Sequence, residues 1–201
     1  MKKHFVLLFL VYSFIDISAQ TRFSSLSRAE KKWALLHPFT ARKIKKYISV
    51  THTVVESVKK ENLLDQYENG GKLDAFRHIF TMAFLAQRIS RNKLRSLGIA
   101  HEKGNREQFE KDMMEHGEAA DSISCVMDLR NNEIGFEIGK KFRQLNADSL
   151  KHVIIHEIKS GNAWEIYRNE KGNYLQCNGT EINLLDWKGK WDIPKCLNKT
   201  G

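Results

Sequence analysis

Three observations predict a mainly α fold, a helical bundle-like core with a small β-hairpin appendage at the C-terminus. Apolar residues recur at three- and four-residue spacings through most of the chain up to Lys159. Only two prolines occur, Pro38 and Pro194, so long helices are allowed almost anywhere between them. From Trp164 the pattern changes to short aromatic runs separated by Asn and Gly. The 201 residues suit one domain with a small appendage, and 41% apolar with 28% charged side chains excludes wholesale disorder. The expected organisation is a signal peptide over 1–19, a helical domain over 20–160 that carries a polar site, and a β-rich appendage over 161–201.

The first segment reads as an export signal. Lys2 and Lys3 precede an apolar run from Phe5 to Ile15, and Ile17-Ser18-Ala19 suits cleavage before Gln20. That run is too short to span a bilayer comfortably, and no later segment is long and apolar enough to do so. The expectation is an exported, periplasmic or secreted bacterial protein. Removing 1–19 leaves 31 basic and 23 acidic residues, a net charge of +8. Such a balance can attract nucleic acid, anionic lipid or acidic wall polymer, so an anionic substrate or envelope component is a candidate partner. The charges are dispersed, with the densest cluster at Arg42-Lys-Ile-Lys-Lys46, and a solvated helix face on a basic protein accounts for them as well. The signal for nucleic acid is weak, because it rests on net charge alone.

Ser27 and Glu30 have capping-box spacing and start a short helix through Leu36, which His37-Pro38 breaks. A second helix follows, with Thr40 as its candidate cap, and runs to Lys60. Asn69-Gly70-Gly71 is a turn. Lys72 to Arg91 is the best-patterned helix, with Phe76, Ile79, Phe80, Ala83, Phe84, Ala86 and Ile89 on one broad face. A helical stretch from Lys93 to Lys103 is expected to break at Gly104-Asn105. Glu107 to Leu129 forms a further helix with Met113 and Met114 among its core residues, ended by Asp128, Asn131 and Asn132. Gly135 and Gly139 mark a bend, and Ala147 to Lys159 is a last helix. Trp164–Tyr167, the turn 169–173 and Tyr174–Cys177 make a hairpin, followed by a short strand or irregular tail over Leu184–Ile193.

Export makes a Cys177–Cys196 disulfide reasonable and leaves Cys125 as a buried, inert thiol. No serine lies in a Gly-x-Ser-x-Gly setting, and Cys125 has no base nearby in sequence, so an activated water is favoured over a covalent nucleophile. His152 and His156 share a helical face, but Val153 stands where the zinc-peptidase signature needs an acid. Glu118, Asp121, Cys125, Asp128 and Asn132 share a stripe, and His116 falls on a different one.

The chemistry-bearing residues concentrate between Gly70 and Gly139. Asp74, Arg77, His78 and Thr81 lie one helical turn apart, so their side chains can meet. His78, His101, Glu102 and Asp128 are the candidate catalytic set and also the candidate ligands of a divalent metal such as zinc or manganese. A catalytic metal would lower the pKa of a bound water for attack on an ester or phosphoester. Without metal, His78 or His101 could act as a base oriented by Glu102 or Asp128. Arg77 could hold an anion bidentately, Asn131 and Asn132 could donate to an oxyanion, and Asp74 completes the substrate-binding candidates. A purely structural reading also stands, with the same residues tying helices together through buried polar contacts.

Two resemblances bear on this choice. The order His78, then His101-Glu102, then Asp128 is similar to the pattern of HD-type metal-dependent phosphohydrolases. Glu102 stands where that family has Asp, and Asp128 follows after a shorter gap. More closely, Trp33-x-x-x-His37-Pro38, Asp74-Ala-Phe-Arg-His78, Ala100-His101-Glu102 and Met127-Asp-Leu-Arg-Asn-Asn132-x-x-Gly135 together resemble an uncharacterised bacterial domain family. The likeness covers Trp33 to Ile158 and implies a helical domain centred on Arg77, His78, His101, Glu102, Asp128, Asn131 and Asn132, without naming a reaction.

Overall fold

The computed structural model describes residues 25–111 and 120–201. The proposed signal peptide over 1–19 lies outside the described residues, as do Met113, Met114, His116 and Glu118. Within them the chain is mainly α, with helices α1 (Arg28–Leu36), α2 (Pro38–Lys60), α3 (Lys72–Ala86), α4 (Arg91–Phe109), α5 (Ser122–Lys141) and α6 (Ala147–Lys159). A two-stranded antiparallel sheet, β1 (Trp164–Ile166) with β2 (Leu197–Lys199), lies beyond them. Among the described residues, no helix is long and apolar enough to cross a membrane.

α3 is the central element. Besides the apolar face read from its sequence, Leu73, Met82 and Leu85 on its other sides are also buried. A helix that is apolar nearly all round belongs inside, and α3 is enclosed by α2, α5 and α6. Phe76, Phe80 and Phe84 stack along it with ring centroids 5.4 and 5.9 Å apart. They pack with Val58 of α2 and with Leu150, Ile154 and Ile158 of α6.

Several boundaries differ from expectation, each for a physical reason. The capping box of α1 forms, with Glu30 N–H donating to Ser27 Oγ and Ser27 N–H to Glu30 Oε2. α2, however, opens at Pro38 rather than being capped by Thr40, because proline lacks the N–H that would otherwise be orphaned and presets φ. α3 stops at Ala86, short of Arg91, and Ser90 leads into α4. α4 does not break at Gly104-Asn105. Gly104 is there because a Cβ would lie 2.4 Å from Ser27 Oγ, where α1 docks.

The expected helix from Glu107 to Leu129 is not continuous. α4 ends at Phe109, and Asp121 starts a new helix by accepting from Ile123 and Ser124 N–H through Oδ1 at 2.9 and 3.0 Å. Asp128, Asn131 and Asn132 do not end α5, and Gly135 and Gly139 do not bend it. Both glycines sit where α5 touches α3, and a Cβ would meet Ile79 O at 2.6 Å and Ala83 O at 2.4 Å. The helices therefore approach backbone to backbone, which brings short side chains on either helix within reach of each other.

The C-terminal strands also pair differently. The turn over 169–173 forms, with a bridge between Arg168 and Tyr174, but the ladder of Trp164–Ile166 is to Leu197–Lys199. Leu184–Trp187 is a 3-10 helix, not a strand. The Cys177–Cys196 disulfide is formed, with Cα atoms 4.7 Å apart, and it holds the returning chain in place. Met127 of α5 packs with Ile166, Tyr174 and Ile182 and joins this segment to the core.

Candidate functional site

The site begins at the Gly70-Gly71 turn. Gly70 has φ +72, and a Cβ on Gly71 would lie 2.5 Å from Tyr67 Cβ and 2.8 Å from Asp65 Oδ1. That space is used by the Asp65 carboxylate, which accepts from Lys72 N–H at 2.7 Å and Leu73 N–H at 3.1 Å. These are orphan donors at the start of α3. Asp74, in the first turn, accepts from Gly70 N–H at 2.7 Å through Oδ2. Its Oδ1 accepts from Arg77 Nε at 3.1 Å and Nη2 at 2.5 Å.

His78, one turn on, is buried against α5. Its Nε2 lies 3.5 Å from Asp74 Oδ1 and 3.2 Å from Asp128 Oδ1. Its Nδ1 is 3.3 Å from Asn132 Oδ1. With the amide oxygen as acceptor, Nδ1 carries the proton and Nε2 turns its lone pair toward the two acids. Burial, then the nearby Arg77 charge, pulls the imidazole down to about 3, so it is neutral at neutral pH. Nε2 makes no hydrogen bond of good geometry. A lone pair facing carboxylates is repulsive unless something positive lies between them.

This arrangement could hold a cation. The ligand atoms of Asp74, His78 and Asp128 all lie within 4.8 Å of one another, and all three residues are buried. Bonds of about 2.0–2.2 Å give ligand-to-ligand edges of about 2.8–3.1 Å in octahedral and about 3.3–3.6 Å in tetrahedral geometry. The two His78 distances, 3.5 and 3.2 Å, lie close to the tetrahedral values. One imidazole and two carboxylates is a donor set for zinc, manganese or iron.

Beside the group lies a cleft of about 340 Å³ between α2, α3 and α4. Asp74, Arg77, His78 and Asn132 reach it from one side, and His101 with Glu30 from another. Ile48, Val55, Leu73, Met82 and Leu97 give it apolar walls. Gly98 admits the Asn132 amide, since a Cβ there would lie 3.0 Å from Asn132 Nδ2.

The remaining sequence-predicted residues separate. His101 Nδ1 is 3.0 Å from Glu30 Oε1 on the cleft side of α4. Burial opposes ionisation of Glu30, but hydrogen bonds from His101 and from Ser27 N–H hold its carboxyl at about 2. Glu102 points inward instead, accepting from Asn105 Nδ2 at 3.0 Å. Successive residues on a helix are about 100° apart, so His101 and Glu102 face different surroundings. Neither contributes to the Asp74–His78–Asp128 group. Asn131 is fully buried and clamps β1, with Nδ2 donating to Trp164 O at 2.9 Å and Oδ1 accepting from Trp164 N–H at 3.0 Å. That use leaves its amide away from any oxyanion position. Burial, followed by the negative charge of Glu102, pushes the Cys125 thiol far up and makes it inert.

Sequence reading missed three contributors. Asp65 supports α3 from seven residues away, a spacing with no helix-cap signature. Glu30 was legible as half of a capping box, but not as the partner of His101. Lys195 places Nζ 2.6 Å from Asp121 Oδ2 in full burial, and lies over the Tyr174 ring at 3.8 Å.

No curated protein matches this chain, and no solved structure does. A family model described as a domain of unknown function, DUF6973, matches residues 31–162, more than half of the chain and all of the Asp74–His78–Asp128 group. The chain is a member of the DUF6973 family.

Proposed function

We propose that this is an exported protein whose Asp74–His78–Asp128 group holds a divalent cation, zinc or manganese, and that it hydrolyses an ester or phosphoester in the adjoining cleft. The observation that carries the reading is the position of His78 Nε2, 3.2 and 3.5 Å from two buried carboxylate oxygens. A cation bound there would supply Lewis acidity and an acidified water. Asn132 holds the His78 tautomer. Arg77, one third exposed, receives an anionic group of the substrate in the cleft. His101, set by Glu30, accepts or returns a proton from across the cleft. The formed disulfide supports an oxidising compartment.

A second reading is favoured by Asp74, whose two oxygens already accept from Gly70 and Arg77. In that reading the group is a hydrogen-bonded tie between α3 and α5, without metal or catalysis. Elemental mass spectrometry on the chain from Gln20 onward separates the two. The metal reading expects near-stoichiometric zinc or manganese, lost in His78→Ala and Asp128→Asn and retained in His101→Ala. Absence of metal after reconstitution with both ions would leave the tie.

A further inference from the structure

The corner between α1 and α2 has no role in the site. Leu35 and Leu36 end α1 and Phe39 lies in the first turn of α2, with only His37-Pro38 between them. All three are open to solvent, at 74%, 67% and 89% exposure. The corner is well anchored beneath them. Trp33 is buried, donates from Nε1 to Ser96 Oγ at 2.8 Å, and packs on His37 with ring centroids 4.9 Å apart. Exposure of the triad is therefore not a frayed end, and three large apolar side chains grouped at one anchored corner are the kind of feature that marks an interaction site.

Charge identifies that partner. Residues 31–55 contain no Asp or Glu and six Lys or Arg. Lys32 of α1 and Arg42, Lys43, Lys45 and Lys46 in the next two turns of α2 are exposed, with Lys43 Nζ also donating to Arg88 O at 2.8 Å. A second copy of the chain would bring the same unopposed positive charge against it. Nucleic acid would use the lysines and leave the apolar triad in water. A bilayer interface with anionic headgroups takes both, apolar side chains at the acyl boundary and basic ones at the phosphates.

We infer that the α1–α2 corner docks the protein on an anionic lipid surface, with Leu35, Leu36 and Phe39 entering the interface and Lys32, Arg42, Lys43, Lys45 and Lys46 on the headgroups. The inference does not depend on metal or hydrolysis. It does have a consequence for the cleft, since Ile48 on the cleft wall is roughly 14 Å along α2 from Phe39 at the usual helical rise. Docking at the corner brings the cleft close to the lipid headgroups.

Vesicle flotation tests it, using the chain from Gln20 onward so that the apolar N-terminal run contributes nothing. The probes are vesicles of phosphatidylcholine alone and of equal parts phosphatidylcholine and phosphatidylglycerol. The native chain should float with the mixed vesicles and not with phosphatidylcholine alone, and release as salt is raised. Phe39→Ser should weaken binding about tenfold, and Leu35→Ser/Leu36→Ser/Phe39→Ser should abolish it. Arg42→Glu/Lys45→Glu should also abolish it. Because these side chains are exposed, thermal melting of the single variant should match the native chain. Undiminished flotation of the Phe39 variant would overturn the inference. So would a dimer in sedimentation velocity that Phe39→Ser dissolves, which would make the corner a contact between copies. Salt-sensitive binding to a DNA duplex, indifferent to Phe39→Ser and without flotation, would assign the charge to nucleic acid instead.

Discussion

The Nδ1 of His78 lies 3.3 Å from Oδ1 of Asn132, joining α3 to α5 at the level of the buried acids. With the Asn132 amide oxygen as acceptor, Nδ1 carries the proton. Nε2 is thereby left with its lone pair toward Asp74 and Asp128, so a residue on a different helix sets the chemistry that His78 can offer.

Removing that contact gives the first prediction. Where the proposed site takes zinc, Asn132→Ala should lower the affinity about 10–100-fold, the usual cost of losing a group that orients a ligating histidine. Competition titration against a chromophoric chelator reads it directly. An unchanged affinity, with the fold intact by circular dichroism, would mean that Asn132 does not orient the imidazole.

The contact depends on how closely α3 and α5 approach. Gly139→Ala places a methyl 2.4 Å from Ala83 O, and Gly135→Ala places one 2.6 Å from Ile79 O. Alanine gains helix propensity of up to about 1 kcal/mol, but overpacking against backbone costs more, so each variant should lose about 2 kcal/mol net. Urea denaturation measures this. A stabilised variant would show that the helices can part without cost.

Lys195 and Asp121 form a buried pair at 2.6 Å, with side-chain exposures of 4% and 0%. Truncating one partner leaves the other charge buried, so Lys195→Met should cost about 3–5 kcal/mol. Lys195→Met/Asp121→Asn should be less damaging than the single Lys195 change, because no uncompensated charge remains while Asn can still cap α5. Equal destabilisation of the single and double variants in urea melts would refute the pairing argument.

Stability should fall in acid in two steps. His78 is held down to about 3 from its ordinary 6.5 by burial and Arg77, so below pH 6.5 the unfolded chain binds a proton that the fold does not. Its contribution is complete above 6.5 and is lost as pH falls toward 3. Glu30, at about 2 against an ordinary 4.5, contributes fully above 4.5 and loses that contribution as pH falls toward 2. Urea melts in chelator should show native stability dropping between pH 7 and 5. His78→Asn should flatten that part, and Glu30→Gln should flatten only the part below 4.5. A native profile flat from pH 7 to 5 would mean that folded His78 accepts the proton as readily as the unfolded chain.

Much of the fold was legible because its signals are local. The Ser27–Glu30 capping box, the Pro38 break and the Ala147–Lys159 helix each rest on neighbours within a turn or two. The misread elements are those where a glycine serves a distant surface. Gly104, Gly135 and Gly139 read as breakers, yet each lies within a helix and clears space for another element. Likewise Asn131 and Asn132 read as a helix end, while their amides are taken by Trp164 and His78, thirty or more residues away.

Sequence alone determined the helical class, the stripe that brings Asp74, Arg77 and His78 together, and the concentration of polar groups between Gly70 and Gly139. Helical spacing suffices for these, because residues three and four apart are neighbours whatever the rest of the chain does. Only the tertiary structure decided that Asp128 meets His78, that His101 turns to Glu30 and that Glu102 turns to Asn105. Those choices depend on the rotation of α4 and α5 about their axes against α3, and that rotation is set by glycine contacts and core packing that no local pattern encodes.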